Sequence, residues 1–131
     1  MLFRSQNAFS RFSYDYNVLG NGRWDGGNLG MGWSRLGAIS ECQVAVPSDM
    51  ITLGDSGSNL ESDWLLNPNE DLNRDDSPLA SWLPSQRHSN GANILFCDGH
   101  VEFGKQRRWI EKKDQACRRW NNDHQPHPKN W

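Results

Sequence analysis

The most regular pattern of hydrophobic and polar residues lies between residues 92 and 103. Residues 92–97 form the only sustained apolar run of the chain, and residues 100–103 follow with a short polar–apolar alternation. Asp98 and Gly99 separate the two stretches. Asp-Gly at such a junction is typical of a β-hairpin with a type I′ turn, because both residues tolerate the positive φ angles that this turn requires. The pattern therefore predicts a core hairpin over residues 92–103.

The register of this predicted hairpin follows from the length of its turn. A two-residue turn pairs Phe96 with Val101 and Ile94 with Phe103, and paired residues share one face of a sheet. One face is then wholly apolar and is predicted to lie in the core. The other face is mixed and consists of Asn93, Leu95, Cys97, His100 and Glu102.

Three further stretches show the periodicity of regular structure. Residues 12–17 alternate aromatic and polar side chains as a strand does, which places Tyr14 and Tyr16 on one side. Residues 50–54 form a short apolar run that predicts a buried strand ending at Asp55. Residues 109–122 predict a C-terminal helix with one apolar stripe. The helical spacing is that of Trp109, Ile110, Lys113, Cys117 and Trp120.

Length and composition indicate a single domain over residues 1–131. Only 35% of the residues are hydrophobic and the mean hydropathy is −0.85, so the predicted core is lean. Seven tryptophans partly compensate, since each aromatic side chain buries a large area. The elements together predict an α+β fold, with a small, mainly antiparallel sheet, long loops and a C-terminal helix.

Charge, hydropathy and cysteine spacing narrow the function classes. The net charge of −2 argues against a nucleic-acid partner, which normally meets a basic face. No run approaches the ~18 apolar residues of a membrane span, so the chain as given is predicted to make no membrane contact. Cys42, Cys97 and Cys117 lack the spacing of a zinc site. They leave open either one disulfide of unassigned pairing or three free thiols.

A candidate calcium site lies in the long polar segment of residues 56–86. Asp71, Asn73 and Asp75 place oxygen ligands at the spacing that opens a calcium-binding loop, and Asp76 adds a further carboxylate. The segment is not an EF-hand, because Asp76 stands where that motif needs glycine and Trp82 where it needs glutamate. The alternative is a solvated acidic loop without a metal.

A second candidate site combines Asp55, His88, Asp98 and His100. Imidazole and carboxylate groups near a turn could hold a transition metal or act as an acid–base pair. The sequence favours a structural alternative, in which His88 hydrogen-bonds the backbone or the turn carboxylate and holds the hairpin in place. The sequence contains no recognisable nucleophile motif or pair of catalytic carboxylates, so the chain is predicted not to be an enzyme.

The glycine-rich segment of residues 20–37 is predicted to be an irregular surface loop pinned by Trp24 and Trp33. It lacks the third spaced glycine and the Gly-Lys-Ser/Thr sequence of phosphate-binding loops. If the two indole rings are exposed, they offer a surface on which sugars can stack.

The segment around the predicted hairpin also resembles a known family. His88 and the Asp98-Gly99 pair are separated by nine residues, which gives a His-x9-Asp-Gly motif. The motif is similar to the C-terminal H-X9-DG domain of the prepilin-type, processing-associated proteins, which are relatives of the type II secretion pseudopilins and type IV pilins. Residues 47–55 and 119–128 also resemble that family. The resemblance covers residues 12–131 and only the C-terminal part of a full-length member.

The resemblance implies a pseudopilin-like globular head with a structural role. Its expected partners are other pilin-like subunits or components of a secretion system, and its expected location is extracytoplasmic, in the periplasm or at the cell surface. The resemblance further implies that the N-terminal anchor helix of the family is absent from this chain. Two other functions stay open, namely a stand-alone extracellular module that binds glycan or calcium, and a metal-dependent hydrolase using His88, Asp98 and His100.

Overall fold

The computed structural model describes residues 14–22, 28–33, 37–56, 65–69 and 82–130. Its strands are β1 (Tyr14–Tyr16), β2 (Gly32–Trp33), β3 (Gly37–Ala38), β4 (Ile51–Asp55), β5 (Gly91–Phe96) and β6 (Val101–Lys105). Two short helices, α1 (Gln106–Ile110) and α2 (Asp114–Arg118), follow the last strand. Single 3₁₀ turns lie at Glu41–Gln43, Pro47–Asp49 and Pro128–Asn130.

The centre of the fold is an open, four-stranded antiparallel sheet with the strand order β1-β4-β5-β6. Strands β2 and β3 pair separately as a short ribbon. The fold is therefore α+β with a small antiparallel sheet, as the sequence predicts. None of the helices in the described part of the chain is long and apolar enough to cross a membrane.

The core lies on one face of this sheet, which we call the inner face. Side chains from β4 and β5 meet the two tryptophans of the C-terminal region there, and Ile110 packs against them. The buried members are Ile51, Leu66, Ala92, Ile94, Phe96, Trp109 and Trp120. A smaller apolar cluster of Val18, Leu19 and Leu65, with Trp82 packed against it, extends the core.

The predicted strands at β1 and β4 are confirmed. Tyr14 and Tyr16 share one side of β1, and that side is exposed, while Asp15 between them is 2% exposed. Strand β4 ends at Asp55, as the apolar run predicts, and its Ile51 is fully buried.

The hairpin of β5 and β6 exists, but its predicted register is wrong by one residue. Leu95 pairs with Val101, and Ile94 pairs with Glu102. Because side chains alternate between the two faces of a strand, this slip moves the apolar side chains of β6 away from the core. Val101 and Phe103 are accordingly 59% and 48% exposed, whereas Ile94 and Phe96 are buried.

The turn between these strands explains the slip. The Gly99 N–H donates to the Phe96 carbonyl at 3.0 Å, and the Phe96 N–H donates to the His100 carbonyl at 3.0 Å. Gly99 has a φ of +93°, while Asp98 is not among the residues with positive φ. The connection therefore has three residues with glycine at its left-handed position, which is a common hairpin loop of different length from the type I′ turn.

The predicted C-terminal helix over residues 109–122 is wrong as a single helix. The chain leaves helical geometry at Glu111, whose φ and ψ are −55° and 132°, and turns again into α2 at Asp114. The break leaves carbonyls at the end of α1 without helical partners. The Trp120 indole N–H donates a hydrogen bond to the Trp109 carbonyl at 2.8 Å. This buried hydrogen bond stabilises the break between α1 and α2. The packing of Trp109, Ile110 and Trp120 is as predicted.

Buried asparagines hold the loops against the sheet. The Asn17 side chain donates to the carbonyls of Ile51 and Trp120 at 2.7 and 2.9 Å, and its oxygen accepts the Gly20 N–H at 3.0 Å. Asn121 likewise accepts the Asn21 N–H at 2.9 Å. Buried backbone N–H and C=O groups need hydrogen-bond partners. In these loops the asparagine side chains supply such partners, as neighbouring backbone groups do within helices and sheets.

Candidate functional site

The structure separates the four residues of the second candidate site into two pairs. Asp55, the last residue of β4, and His88 lie near the start of β5, and Asp98 and His100 lie beyond its end. A six-residue strand is roughly 20 Å long, so one ion cannot contact all four side chains. The structure therefore does not bring these four side chains together around one metal or catalytic centre. Within the described residues, no group of three or more His, Cys, Asp or Glu side chains is arranged to hold a metal ion.

The first pair is built around a buried carboxylate. Asp55 is 2% exposed, and its Oδ2 accepts hydrogen bonds from the backbone N–H and the side-chain amide of Asn93 at 2.8 and 3.0 Å. His88 places Nε2 at 3.5 Å from the same oxygen, while half of its side chain stays in solvent. The carboxylate thus ties β4 to β5 and orients the imidazole.

The backbone around His88 forms a second tight turn. His88 and Gly91 exchange two backbone hydrogen bonds at 3.2 and 2.9 Å, and Ser89 and Asn90 between them have φ angles of 50° and 62°. Positive φ at both central residues is the geometry of a type I′ turn. A type I′ turn therefore lies at Ser89-Asn90, where the sequence analysis predicted none. The turn at Asp98-Gly99, for which it predicted this geometry, is of a different type. The nine-residue spacing of the motif spans β5 together with the turns at both of its ends.

The second pair belongs to a charged cluster on the inner side of β6. His100 Nδ1 lies 2.5 Å from Asp98 Oδ1, and its Nε2 lies 3.1 Å from Glu102 Oε1. The imidazole also stacks on Phe96, with ring centroids 4.4 Å apart and an interplanar angle of 4°. Both ring nitrogens therefore face a carboxylate, which favours the imidazolium form.

Two arginines extend the cluster to the C-terminal region. Glu102 accepts the Arg119 guanidinium at 2.9 Å and the Arg108 guanidinium at 2.6 Å. Arg119 also donates to Asp49 at 2.7 Å, and its guanidinium lies 4.7 Å from the centroid of the Phe96 ring. Carboxylates and cationic donors in such a network stabilise one another. We call Asp49, Asp98, His100, Glu102, Arg108 and Arg119 the charged cluster.

The charged cluster shifts three pKa values. The hydrogen bond to Asp98, and then that to Glu102, raise the pKa of His100 above 6.5. Backbone and side-chain hydrogen bonds from His100 lower the pKa of Asp98 below 3.8. Burial by itself would raise the pKa of Glu102, but the hydrogen bonds from Arg119 and His100 outweigh it and leave the pKa below 4.5.

The raised pKa of His100 predicts a pH-dependent contribution to stability. Imidazolium is favoured in the folded state, so the contribution is complete below pH 6.5 and is lost as the pH rises through the folded pKa. The expected result of a histidine NMR titration is a pKa above 6.5 for His100, which the substitution Glu102→Gln lowers. Urea unfolding curves should show that the wild type is more stable than His100→Gln at pH 6. The difference in unfolding free energy between the two should disappear at alkaline pH. A titration midpoint below 6.5 would contradict this interpretation.

The opposite face of the sheet, which we call the outer face, presents several large apolar side chains to solvent. Paired residues Tyr16, Leu53, Leu95 and Val101 form one row across all four strands. Tyr14 and Phe103 stand at the two ends of the second row, with Asp55 and Asn93 between them. Tyr14, Tyr16, Val101 and Phe103 are 60%, 39%, 59% and 48% exposed.

The ring of Phe103 lies over a glycine of the neighbouring strand. A Cβ atom on Gly91 would stand 2.7 Å from Cζ of that ring, which is closer than side chains approach each other. Glycine at position 91 therefore leaves room for the Gly104 carbonyl and for the phenyl ring of Phe103, which stays half exposed. An exposed apolar surface of this kind is typical of an interaction site.

Two groups of predicted site residues lie outside the described structure. Asp71, Asn73, Asp75 and Asp76 of the predicted calcium loop fall in the range 70–81, which the structure does not describe. Trp24 also falls outside it, and of Trp33 the structure gives only the backbone in β2. The calcium and sugar-stacking sites remain predictions. All three cysteines are free, with Cys42 exposed and Cys117 buried.

Comparisons with protein-family models, with curated proteins and with solved structures found no match. The resemblance to the H-X9-DG family therefore rests on the motif residues themselves. Sequence reasoning missed the charged cluster and the exposed side of β6. The sequence analysis placed His100 and Glu102 on one face, which was the available signal, but it named no arginine partner for them.

Proposed function

We propose that this chain is a non-enzymatic interaction domain that packs against neighbouring protein subunits through its outer face. The resemblance to prepilin-type proteins adds the kind of assembly, namely a type II secretion or pilus-like fibre in which this domain is the pseudopilin-like head. Other pilin-like subunits or secretion components are its partners in this proposal, and its location is extracytoplasmic.

The observation that carries the proposal is the set of exposed apolar side chains on the outer face, namely Tyr14, Tyr16, Val101 and Phe103. The same sheet buries Ile94 and Phe96 on its inner face, and the exposed side chains of the outer face are not members of that core cluster. Tyr14 and Phe103 are aromatic, and aromatic residues are enriched at the buried centres of protein interfaces. Covering these rings with a partner would remove from water the largest apolar groups that the described residues leave exposed.

The geometry of the motif supports a structural role for it. His88 lies in the turn before β5, and the Asp98-Gly99 pair lies in the turn after it, so the two parts of the motif stand at opposite ends of the strand. The buried carboxylate of Asp55 and the imidazole of His88 interact near the first residues of β5. The charged cluster stabilises the turn that follows its last residue. The motif thus sets the position of the central strand that supports the outer face.

Self-association of the full chain tests the proposal, because fibres are built from repeated copies of a subunit. We expect concentration-dependent association in sedimentation velocity runs, and NMR shifts that grow with concentration at the outer face. The double variant Tyr14→Ser/Phe103→Ser should weaken the association by roughly tenfold or more, as for hot-spot residues. The matched variant Tyr14→Phe/Phe103→Tyr keeps both rings and should associate like the wild type.

Two results would overturn this proposal. One is a wild-type chain that remains monomeric, without concentration-dependent shifts, up to ~1 mM, the limit of even weak protein contacts. The other is an association that the serine variant leaves unchanged although its unfolding curve shows a folded domain.

A further inference from the structure

Strand β6 forms an open edge of the central sheet. The Phe96 N–H donates to the His100 carbonyl, so from His100 onward the backbone groups of every second residue point toward β5. The backbone groups of Val101, Phe103 and Lys105 therefore point away from β5. Within the described part of the chain, the N–H groups of these three residues donate no hydrogen bond.

The opposite edge of the sheet is already covered. The Leu66 N–H donates to the Tyr16 carbonyl at 2.8 Å, and Leu65 forms a parallel bridge with Tyr16. At the edge of β6 the guanidinium of Arg108 lies 3.5 Å from the Phe103 carbonyl, a distance at the long limit of a hydrogen bond. Strand β6 is therefore the edge at which this sheet can accept another strand.

The usual protections of a sheet edge are weak in β6. Proteins protect such an edge with proline, a bulge or charged side chains that stand beside it. Strand β6 has no proline, and its pairing with β5 has no register shift. Lys105 Nζ donates to the Ser89 carbonyl at 2.5 Å, and the Glu102 carboxylate is held within the charged cluster. Val101 and Phe103 flank the edge with exposed apolar side chains, which favours pairing with a strand of another chain.

The sequence of β6 is complementary to itself in one antiparallel register. With Phe103 opposite Phe103 of a second copy, the outward N–H and C=O groups face each other and the two phenyl rings meet on the outer face. Glu102 then lies opposite Gly104, so no like charges are paired. A register centred on Glu102 would place two carboxylates directly opposite, which is destabilising. A register centred on Val101 would set Phe103 opposite Gly99 and separate the rings.

Charges beyond the two ends of β6 fit the register centred on Phe103. The turn that contains Asp98 precedes β6, and Arg107 follows it, so antiparallel pairing directs the turn of each copy toward α1 of the other. The side chains of Asp98 and Arg107 are 37% and 89% exposed. The carboxylate of Glu111 lies 3.9 Å from Arg107, so it neutralises the guanidinium only weakly. Opposite charges at both ends of a two-fold contact favour a second copy as the partner.

We propose that β6 pairs with β6 of a second copy in this antiparallel register and joins the two sheets edge to edge. The contact is isologous, with Phe103 on the two-fold axis. The Phe103 N–H of each copy donates to the Phe103 carbonyl of the other, and the Lys105 N–H donates to the Val101 carbonyl. This inference rests on the proposed function in taking another copy of the chain as the partner. It adds that two outer faces form one continuous surface.

Proline at position 105 tests the edge pairing on the full chain. Lys105 has a φ of −61°, the value that a proline ring fixes, and its N–H points away from β5, so Lys105→Pro should fold. Loss of this N–H from each copy should weaken self-association in sedimentation velocity runs by roughly tenfold or more. The matched control Lys105→Ala removes the same side chain but keeps the N–H, and it should associate like the wild type.

Amide hydrogen exchange followed by NMR tests the pairing in the wild type. In dilute solution the N–H groups of Phe103 and Lys105 should exchange rapidly, while those of Glu102 and Gly104, which point toward β5, are protected. At concentrations where the chain associates, exchange at Phe103 and Lys105 should slow by roughly tenfold or more. New protection at Val101 and Phe103 without Lys105 would contradict the register centred on Phe103.

The outcomes separate this inference from the proposed function. A folded Lys105→Pro variant that associates like Lys105→Ala overturns the edge pairing, and so does a Lys105 amide that stays unprotected in the associated wild type. If Lys105→Pro does not fold, as judged by circular dichroism, the exchange pattern decides.

The variant Tyr14→Ser tests the outer face separately, because Tyr14 lies three strands from β6, about 14 Å away. Association that Tyr14→Ser weakens and Lys105→Pro retains supports the outer face and overturns the edge pairing. Association that Lys105→Pro loses and Tyr14→Ser retains supports the edge pairing and counts against packing through the outer face.

Discussion

Replacing Asn17 with leucine should destabilise the folded domain by about 3 kcal/mol or more. The substitution preserves the approximate volume of the side chain but removes its three hydrogen bonds. The carbonyls of Ile51 and Trp120 would then be buried without this donor, and each unsatisfied buried group costs about 1–3 kcal/mol. Asn17 is fully buried, so water cannot replace the amide without a rearrangement of the core.

Urea unfolding followed by far-UV circular dichroism measures this effect. The matched control is Gln115→Leu, which makes the same kind of change at an exposed position of α2 and should stay within about 0.5 kcal/mol of the wild type. A loss below 1 kcal/mol for Asn17→Leu would show that the amide is not a major stabilising contact.

The second large effect is expected at Trp120. Its side chain is fully buried in the main core cluster, and its indole N–H donates to the Trp109 carbonyl at 2.8 Å. Trp120→Ala should cost about 3–5 kcal/mol, because the removed ring leaves a cavity that the core fills only in part. Since small domains have a total stability of about 5–15 kcal/mol, this variant should be close to unfolding at room temperature.

Two comparison variants separate packing from hydrogen bonding at this position. Trp120→Phe keeps a ring but removes the donor to the Trp109 carbonyl, so it should cost less than the alanine variant. Trp82→Ala removes a half-buried tryptophan from the edge of the smaller cluster and should cost less than half as much as Trp120→Ala. Equal losses for the two alanine variants in thermal unfolding would contradict this account of the core.

The strands were predictable from the sequence because each has its own alternation of side chains. Strand β4 and the pair β5–β6 follow apolar runs, and β1 follows the alternation around Asp15. The register of the hairpin was not predictable by the same means. Asp98-Gly99 fits a two-residue turn and also a three-residue loop with glycine at its left-handed position. The choice between them depends on tertiary contacts of β6, among them the ion pairs of Glu102 with Arg108 and Arg119.

The helical break after α1 shows the limit of periodicity in the C-terminal region. Spacing from Trp109 to Trp120 matches one helix, and no proline or glycine lies between the two residues to indicate an interruption. The competing contacts join residues that are six and eleven positions apart, beyond the hydrogen bonds within one helical turn. The Trp109 carbonyl binds the Trp120 indole, and the Glu111 carbonyl accepts Cys117 Sγ at 3.6 Å. Local propensity cannot report such contacts, so only the packing of Trp109 and Trp120 was foreseeable.

The candidate site was predictable only in part for the same reason. The sequence predicted the Asp98-Gly99 turn within the hairpin of residues 92–103 and gave His88 as a residue that holds this hairpin in place. In the structure His88 and the Asp98-Gly99 pair lie in the turns at the two ends of β5. The motif spacing could not show that the two ends stay apart, because spacing along a chain gives no distance between side chains. The apolar outer face was missed because its exposure follows from the one-residue shift in register.

Hydrogen bonds of three asparagine side chains join the N-terminal and C-terminal parts of the described chain. Asn17 bonds to Trp120 across 103 residues, Asn21 to Asn121 across 100, and Asn122 to Asn28 across 94. A ribosome releases the N-terminal partner of each pair first, at about 5–20 residues per second, and the C-terminal partner several seconds later. During that delay the nascent chain holds β4 and β5 without the tryptophan that covers them. The domain therefore completes its core only after the segment that contains Trp120 and Asn121 has left the ribosome. Until then the apolar side chains of β4 and β5 lack the tryptophan that covers them.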